Sequence, residues 1–227
     1  MKIIRLIIFA IAVFIYSSVG IVFINKYVNP RISLHSIERL FEGRALHTDW
    51  EYYEDISPNF FRAIIAAEDA RFFSHNGVDW KAVKEARKYN TRKKGKKKRG
   101  ASTITMQTAK NVYLNHSRTY IRKGFEVYFT YLMETIWGKK RILEVYANIV
   151  ETGPGIYGVE AAAQKYFNKS AAKLSKREAA LIAAVLPNPI RWSPGRPTAY
   201  IQRRASAIQA RMNSISLRKI ERKKNER

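Results

Sequence analysis

The sequence predicts an all-α fold: one membrane-spanning helix followed by one helical domain. Three observations predict it. Residues 6–24 form an apolar run without a charge. Beyond that run, apolar residues recur three or four apart through most of the chain, the period of a helix with one buried face. Alternating apolar and polar runs, the mark of a half-buried strand, are few.

The first element follows from length. The run 6–24, at about 1.5 Å per residue, approaches the ~30 Å hydrocarbon core of a bilayer. A cleaved signal peptide has a shorter apolar core that ends at small residues. Ser17-Ser18-Val19-Gly20 is such a stretch, but the apolar run continues past it, so an uncleaved anchor is expected. Lys2 and Arg5 precede the span and Lys26 and Arg31 follow it, which leaves the positive-inside count close to even. A short stub before the span and a whole domain after it point to an exported domain. The expected division is 1–25 as cytoplasmic stub and anchor, 26–212 as the domain, and 213–227 as a basic tail. There is no cysteine, so no disulfide supports the fold.

Lys and Arg number 42 against 18 Asp and Glu, a net charge of +24. Such an imbalance calls for an anionic partner or surface. Nucleic acid is one class. Behind a membrane anchor, anionic head groups or a lipid-borne phosphate are another.

The domain's elements follow in order. Ser57 reads as an N-cap and Pro58 as the first residue of a helix over 57–73. Phe60, Phe61, Ile64, Ile65, Ala67 and Phe72 fall at helical spacings there. Glu68 lies four residues from both Ile64 and Phe72, on or beside the buried face. A carboxylate so placed is costly unless paired or used, and burial raises its pKa toward a value suited to proton transfer. The plainer reading is an acidic pair, Glu68 and Asp69, that merely closes a helix. A short helix is expected over 80–89, then a lysine-rich solvated loop over 93–99. Helices are expected over 103–112, 120–137, 139–150 and 159–167. Ser175 and Glu178 spell a capping box for a helix that stops at Pro187, and a basic helix over 200–217 closes the domain.

Several motifs carry both chemical and plain readings. Residues 100–111 are dense in hydroxyl and amide groups. Ser102 or Thr103 can cap a helix whose free N–H groups would face an anion, or cap it and do nothing more. Arg122 and Glu126, four apart, form either a helix-stabilising ion pair or part of a site in which two acids divide the labour. Lys139, Lys140 and Arg141 open a helix with the wrong sign for its dipole, a weak hint of a ligand for Lys139. Gly153, Gly155 and Gly158 spell G-x-G-x-x-G, but no βαβ unit surrounds them; a tight turn is the better account. The four histidines lack metal-ligand spacing.

Taken in order, these motifs resemble the peptidoglycan glycosyltransferases of family 51, with a lysozyme-like domain, and most closely their monofunctional biosynthetic form. The resemblance runs over about 50–212. It rests on E-D-x-x-F-x-x-H-x-G at Glu68, Asp69, Phe72, His75 and Gly77. It continues with Gly100, Ser102, Thr103, Ile104, Thr105, Gln107, Lys110 and Asn111, then Arg122, Lys123 and Glu126. Lys139, Ile142, Leu143, Tyr146 and Asn148 complete the fourth motif, and Arg204 best matches an arginine on the last helix. Met106 departs from a usual glutamine, Gln209 stands near a usual leucine, and the loop before Gly100 is unusually lysine-rich.

The resemblance implies a substrate, lipid II, and a growing glycan chain joined by β-1,4 bonds with release of undecaprenyl pyrophosphate. It implies Glu68 as the base, with Glu126 orienting the donor and assisting near the leaving group. Lys110, Arg122, Lys139 and Arg204 would neutralise the pyrophosphate. Ser102, Thr103 and Gln107 would hold the donor, and Asp69, His75, Asn111 and Lys123 would line the substrate site. No cofactor is required, and a divalent cation, Mg or Mn, is admitted. Membrane lipids and the proteins of cell-wall synthesis and division are the implied partners, at the inner membrane with the domain on the periplasmic side. A lysozyme-like glycan hydrolase is the enzymatic alternative. A membrane-tethered nucleic-acid-binding protein would explain the charge but not the two glutamates.

Overall fold

A computed structural model describes residues 2–30, 47–93, 99–115, 117, 119–218 and 220. The interior of the expected 93–99 loop and most of the 213–227 tail lie outside the described residues. The helices are α1 (Lys2–Tyr27), α2 (Pro58–Glu68), α3 (Trp80–Arg92), α4 (Ile104–Tyr113), α5 (Tyr120–Ile136), α6 (Lys139–Ile149), α7 (Val159–Phe167), α8 (Lys176–Val185) and α9 (Ala199–Met212).

Most of these begin at a side chain that accepts a free N–H. Ser57 accepts from Asn59 N ahead of Pro58, and Thr103 from Met106 N. Thr119 serves α5, the Ser175–Glu178 capping box serves α8, and Thr198 serves α9. Two ends differ from expectation. Helix α2 stops at Glu68, because the Asp69 side chain is drawn to Ile104 N and His75 Nε2 and its backbone leaves the helical region. A separate 3-10 turn, Phe72–Ser74, then buries Phe72. Helix α9 ends at Met212, where the chain turns at Asn213 and Ser214.

A small sheet joins the helices. Strand β1 (His47–Thr48) runs parallel to β3 (Ile156–Tyr157), and β2 (Glu151–Gly153) runs antiparallel to β3 on its other side. The G-x-G-x-x-G segment is the β2–β3 hairpin, with Gly155 at φ 73°. A Cβ on Gly158 would stand 2.8 Å from Asn148 O, so only glycine lets α7 start so close to α6.

Helices α2, α8 and α9 pack together, as do α4, α5 and α6. Phe60, Phe61, Phe72, Ile64, Ile104, Met133, Leu143 and Tyr146 are fully buried in the shared core. Helix α1 also joins it. Phe14 meets the rings of Phe125 and Tyr128 on α5 at 5.5 and 5.7 Å, and Val22 is buried. Trp137 Nε1 donates to Val22 O (2.6 Å). Arg141 donates to Asn25 O (2.9 Å) and Asn29 Oδ1 (2.9 Å), so its guanidinium caps the last turn of α1. The rest of α1 is exposed and apolar. Only 11 % of its most apolar window is buried, which separates it from a core helix and leaves it fit to cross a membrane.

Candidate active site

Glu68 sits at the C-terminal end of α2, where the helix dipole disfavours negative charge. Its side chain is 16 % exposed. Oε2 accepts from Gln107 Nε2 on α4 (3.0 Å), and Oε1 lies 3.8 Å from Arg204 Nη2 on α9. Burial pushes its carboxyl above the ordinary range; the Gln107 hydrogen bond and Arg204 pull it partly back, and Asp69 adds to the rise. The result is a carboxylate more basic than usual, open to a groove of about 370 Å³ that also meets Ser102, Thr103, Arg99 and Arg211.

Glu126, on α5, has a different environment. Its side chain is 3 % exposed. Oε2 accepts from Arg122 Nη1 (2.6 Å) and Oε1 from Lys123 Nζ. Lys123 Nζ lies 3.4 Å from Ser102 Oγ. Burial pushes the Lys110 amine down; Glu126 opposes that, and Arg122 and Lys123 add to it. Three cations thus gather at one carboxylate. They leave an excess of positive charge fit for a multiply charged anion. Helix α4 links the two centres, reaching Glu68 through Gln107 and the cations through Lys110 one turn on.

The remaining expected site residues are arranged less directly. Asp69 Oδ2 accepts from Ile104 N (3.1 Å) and Oδ1 lies 2.9 Å from His75 Nε2, so one oxygen braces the start of α4 and the other holds the segment after the Phe72–Ser74 turn. Thr103 Oγ1 donates to Gly77 O while capping α4. The ammonium of Lys139, a residue expected at the pyrophosphate, donates to His75 O (2.8 Å) and Glu134 Oε1 (2.7 Å) and lies 4.3 Å from the Phe72 ring centroid. Glu134 and the His75 carbonyl are what make a cationic start to α6 tolerable. Gln107 touches Glu68 directly, and Arg204 faces Glu68 instead of the cation cluster. Asn111 is buried on α4, and its Oδ1 has no hydrogen-bond partner among the described residues.

Sequence reasoning missed Glu134, which also accepts from Thr105 Oγ1 (2.6 Å), and Arg211 in the groove. Arg211 was findable: it follows Arg204 by seven residues on one helix, two turns and the same face. A larger recess of about 500 Å³, lined by Arg62, Lys176 and Arg218 among others, has no carboxylate among its described residues and does not compete as the site.

Asp69, His75 and Asp79 offer ligand atoms within 4.8 Å of one another. They fit a divalent cation poorly. Arg71 binds both Asp79 oxygens at 2.7 and 3.2 Å, and the same carboxylate caps α3 through Ala82 N. A metal there would face a guanidinium and break a cap.

The chain matches a family model described as Transglycosylase over residues 35–213. A protein of Bdellovibrio bacteriovorus is 48 % identical over 209 residues, covering 89 % of this chain and 83 % of the relative. One of Rhodospirillum centenum is 52 % identical over 188 residues, covering 82 % and 80 %. One of Shewanella oneidensis is 48 % identical over 204 residues, covering 88 % and 87 %. All three are named biosynthetic peptidoglycan transglycosylase. Similarity at this level, over the same residues that build both glutamate centres, assigns the chain to the transglycosylase family.

Proposed function

We propose that the protein is a peptidoglycan glycosyltransferase that polymerises lipid II into β-1,4-linked glycan strands. The observation that carries the reading is the pairing, along α4, of a desolvated acceptor carboxylate with a cluster of cations. Glu68 would take the proton from the acceptor's GlcNAc 4-hydroxyl as that oxygen attacks C1 of the MurNAc at the reducing end of the growing chain. The new O–C1 bond forms on the face opposite the leaving group, so the anomeric centre inverts. The C1–O bond to phosphate breaks, and undecaprenyl pyrophosphate departs with the bonding pair. A carboxylate whose pKa is raised toward the working pH suits that proton transfer. Lys110, Arg122 and Lys123 would meet the charge that develops on the pyrophosphate, with Glu126 holding two of them in place. Ser102 lies against Lys123, close enough to orient the same group.

No cofactor enters this scheme. An added Mg or Mn ion would act on the pyrophosphate of the substrate and not at Asp69, His75 and Asp79. The apolar helix and the relatives' role in peptidoglycan synthesis fit a membrane-anchored protein. We place the domain on the periplasmic side of the inner membrane, where membrane lipids and cell-wall synthesis and division proteins would be its neighbours.

The test is incubation of the purified full chain with labelled lipid II, followed by gel separation. A ladder of longer glycans that fails with Glu68→Gln supports the reading. Shortened glycans from sacculi, with no polymer from lipid II, would establish the hydrolase instead.

A further inference from the structure

Tyr146, on α6, is fully buried. Its hydroxyl donates to Gln107 Oε1 at 3.3 Å, and Gln107 Nε2 donates to Glu68 Oε2 at 3.0 Å. The three groups form one chain of hydrogen bonds with a direction. An ionised Glu68 can only accept, so the amide nitrogen must face it and the amide oxygen must face the phenol. The phenol then has to donate. In the reversed order a protonated Glu68 donates to the amide oxygen, and the amide nitrogen donates to the phenol oxygen. That leaves the phenol hydrogen buried with no other acceptor among the described residues, a costly state. Burial, then the charges of Glu68 and Asp69, push the phenol's pKa well up, so it stays a donor across the working pH range.

We propose that Tyr146 is a positioning residue for Glu68: its hydroxyl fixes the face of the Gln107 amide so that an N–H, not the carbonyl, meets the base. The chain thereby favours the ionised carboxylate and leaves Oε1 for the acceptor hydroxyl. This rests on the reading of Glu68 as the base. Tyr146 touches no substrate in this account and acts only through Gln107.

The experiment is the pH dependence of kcat/KM for lipid II polymerisation by the full chain. Tyr146→Phe removes one hydroxyl and frees the amide to turn. The acid limb is expected to move up by about one pH unit, a loss near tenfold below the limb. KM should hardly change, and the rate should return to the wild-type value at alkaline pH. In a Gln107→Ala background, Tyr146→Phe should shift the limb no further. An unmoved limb, a loss equal at every pH, or a shift that persists without Gln107 overturns the proposal. Should Tyr146→Phe not fold, 3-fluorotyrosine at position 146, a stronger donor, is expected to move the limb down, and no movement or an upward shift overturns it. If Glu68→Gln still polymerises lipid II, the base reading itself has failed. If that variant is dead and the limb ignores position 146, only this inference has.

Discussion

Glu68 and Glu126 are both largely buried glutamates, and their surroundings suit them to the opposite tasks the proposed function gives them. Glu68 has one amide donor and one guanidinium at 3.8 Å, so burial wins and its proton affinity rises. Glu126 has two cations in direct contact and a third close by, so its charge is matched. The difference teaches that two buried carboxylates are told apart by their contacts: Glu126 is held by cations, while Glu68 is left open to the groove with no cation in direct contact.

The largest expected effect separates the two by rate. Glu68→Gln should lower polymerisation by about 10²–10⁴-fold, the range of a general base. A variant within tenfold of wild type would erase the distinction. The same substitution should stabilise the fold at neutral pH. A raised folded-state pKa means the ionised form is disfavoured by folding, so removing it helps above that pKa. The benefit should shrink as pH falls through the folded pKa and disappear below the unfolded value of about 4.3. Thermal melts at pH 7.5 and pH 4 read the sign.

Glu126→Gln should act in the opposite direction on stability. It strands Arg122 and Lys123 and should cost about 2 kcal/mol. That is less than the ~3–5 of a fully buried pair, because both cations reach solvent. Urea unfolding measures it, and a stabilised variant would contradict the matched-charge account. Arg204→Ala comes next. Without that guanidinium the Glu68 carboxyl rises further, so the acid limb should move up and the rate near neutrality fall a few-fold. Added salt should mimic part of the effect in the wild type. The smallest change concerns Met106, which lies 3 % exposed on the linking helix. Met106→Gln buries an amide and should cost about 1 kcal/mol in stability, with the rate unchanged. A gain in rate would restore a substrate contact to that position.

Much of this was legible in the sequence, for local reasons. Helix α7 falls on the expected 159–167 because Gly158 and Asn168 punctuate it, and the Ser175 box marks the start of α8. The early end of α2 was not legible, because its cause is Ile104 N, thirty-five positions away. The sheet escaped because strands of two or three residues carry no alternation. Glu68 and Glu126 stood out by position and motif. The partners of Lys139 did not, since they are a backbone carbonyl sixty-four positions off and a glutamate across the Gly138 turn. Ser18, which as sequence marked a weak cleavage site, instead lies 2.7 Å from the Tyr128 hydroxyl.

That last contact belongs to the docked helix α1, and docking has a mechanical consequence. A domain hung on a loose linker would adopt every attitude toward the bilayer. Here Trp137 and Arg141 rivet the final turns of a 26-residue helix to the domain, so the lean of that helix and the heading of the groove become a single variable. If α1 crosses a membrane, its uncharged stretch 6–24, at about 1.5 Å per residue, nearly matches a ~30 Å hydrocarbon layer, and a thinner layer tilts it. Thinner or thicker membranes would therefore steer the mouth of the groove toward or away from the head groups.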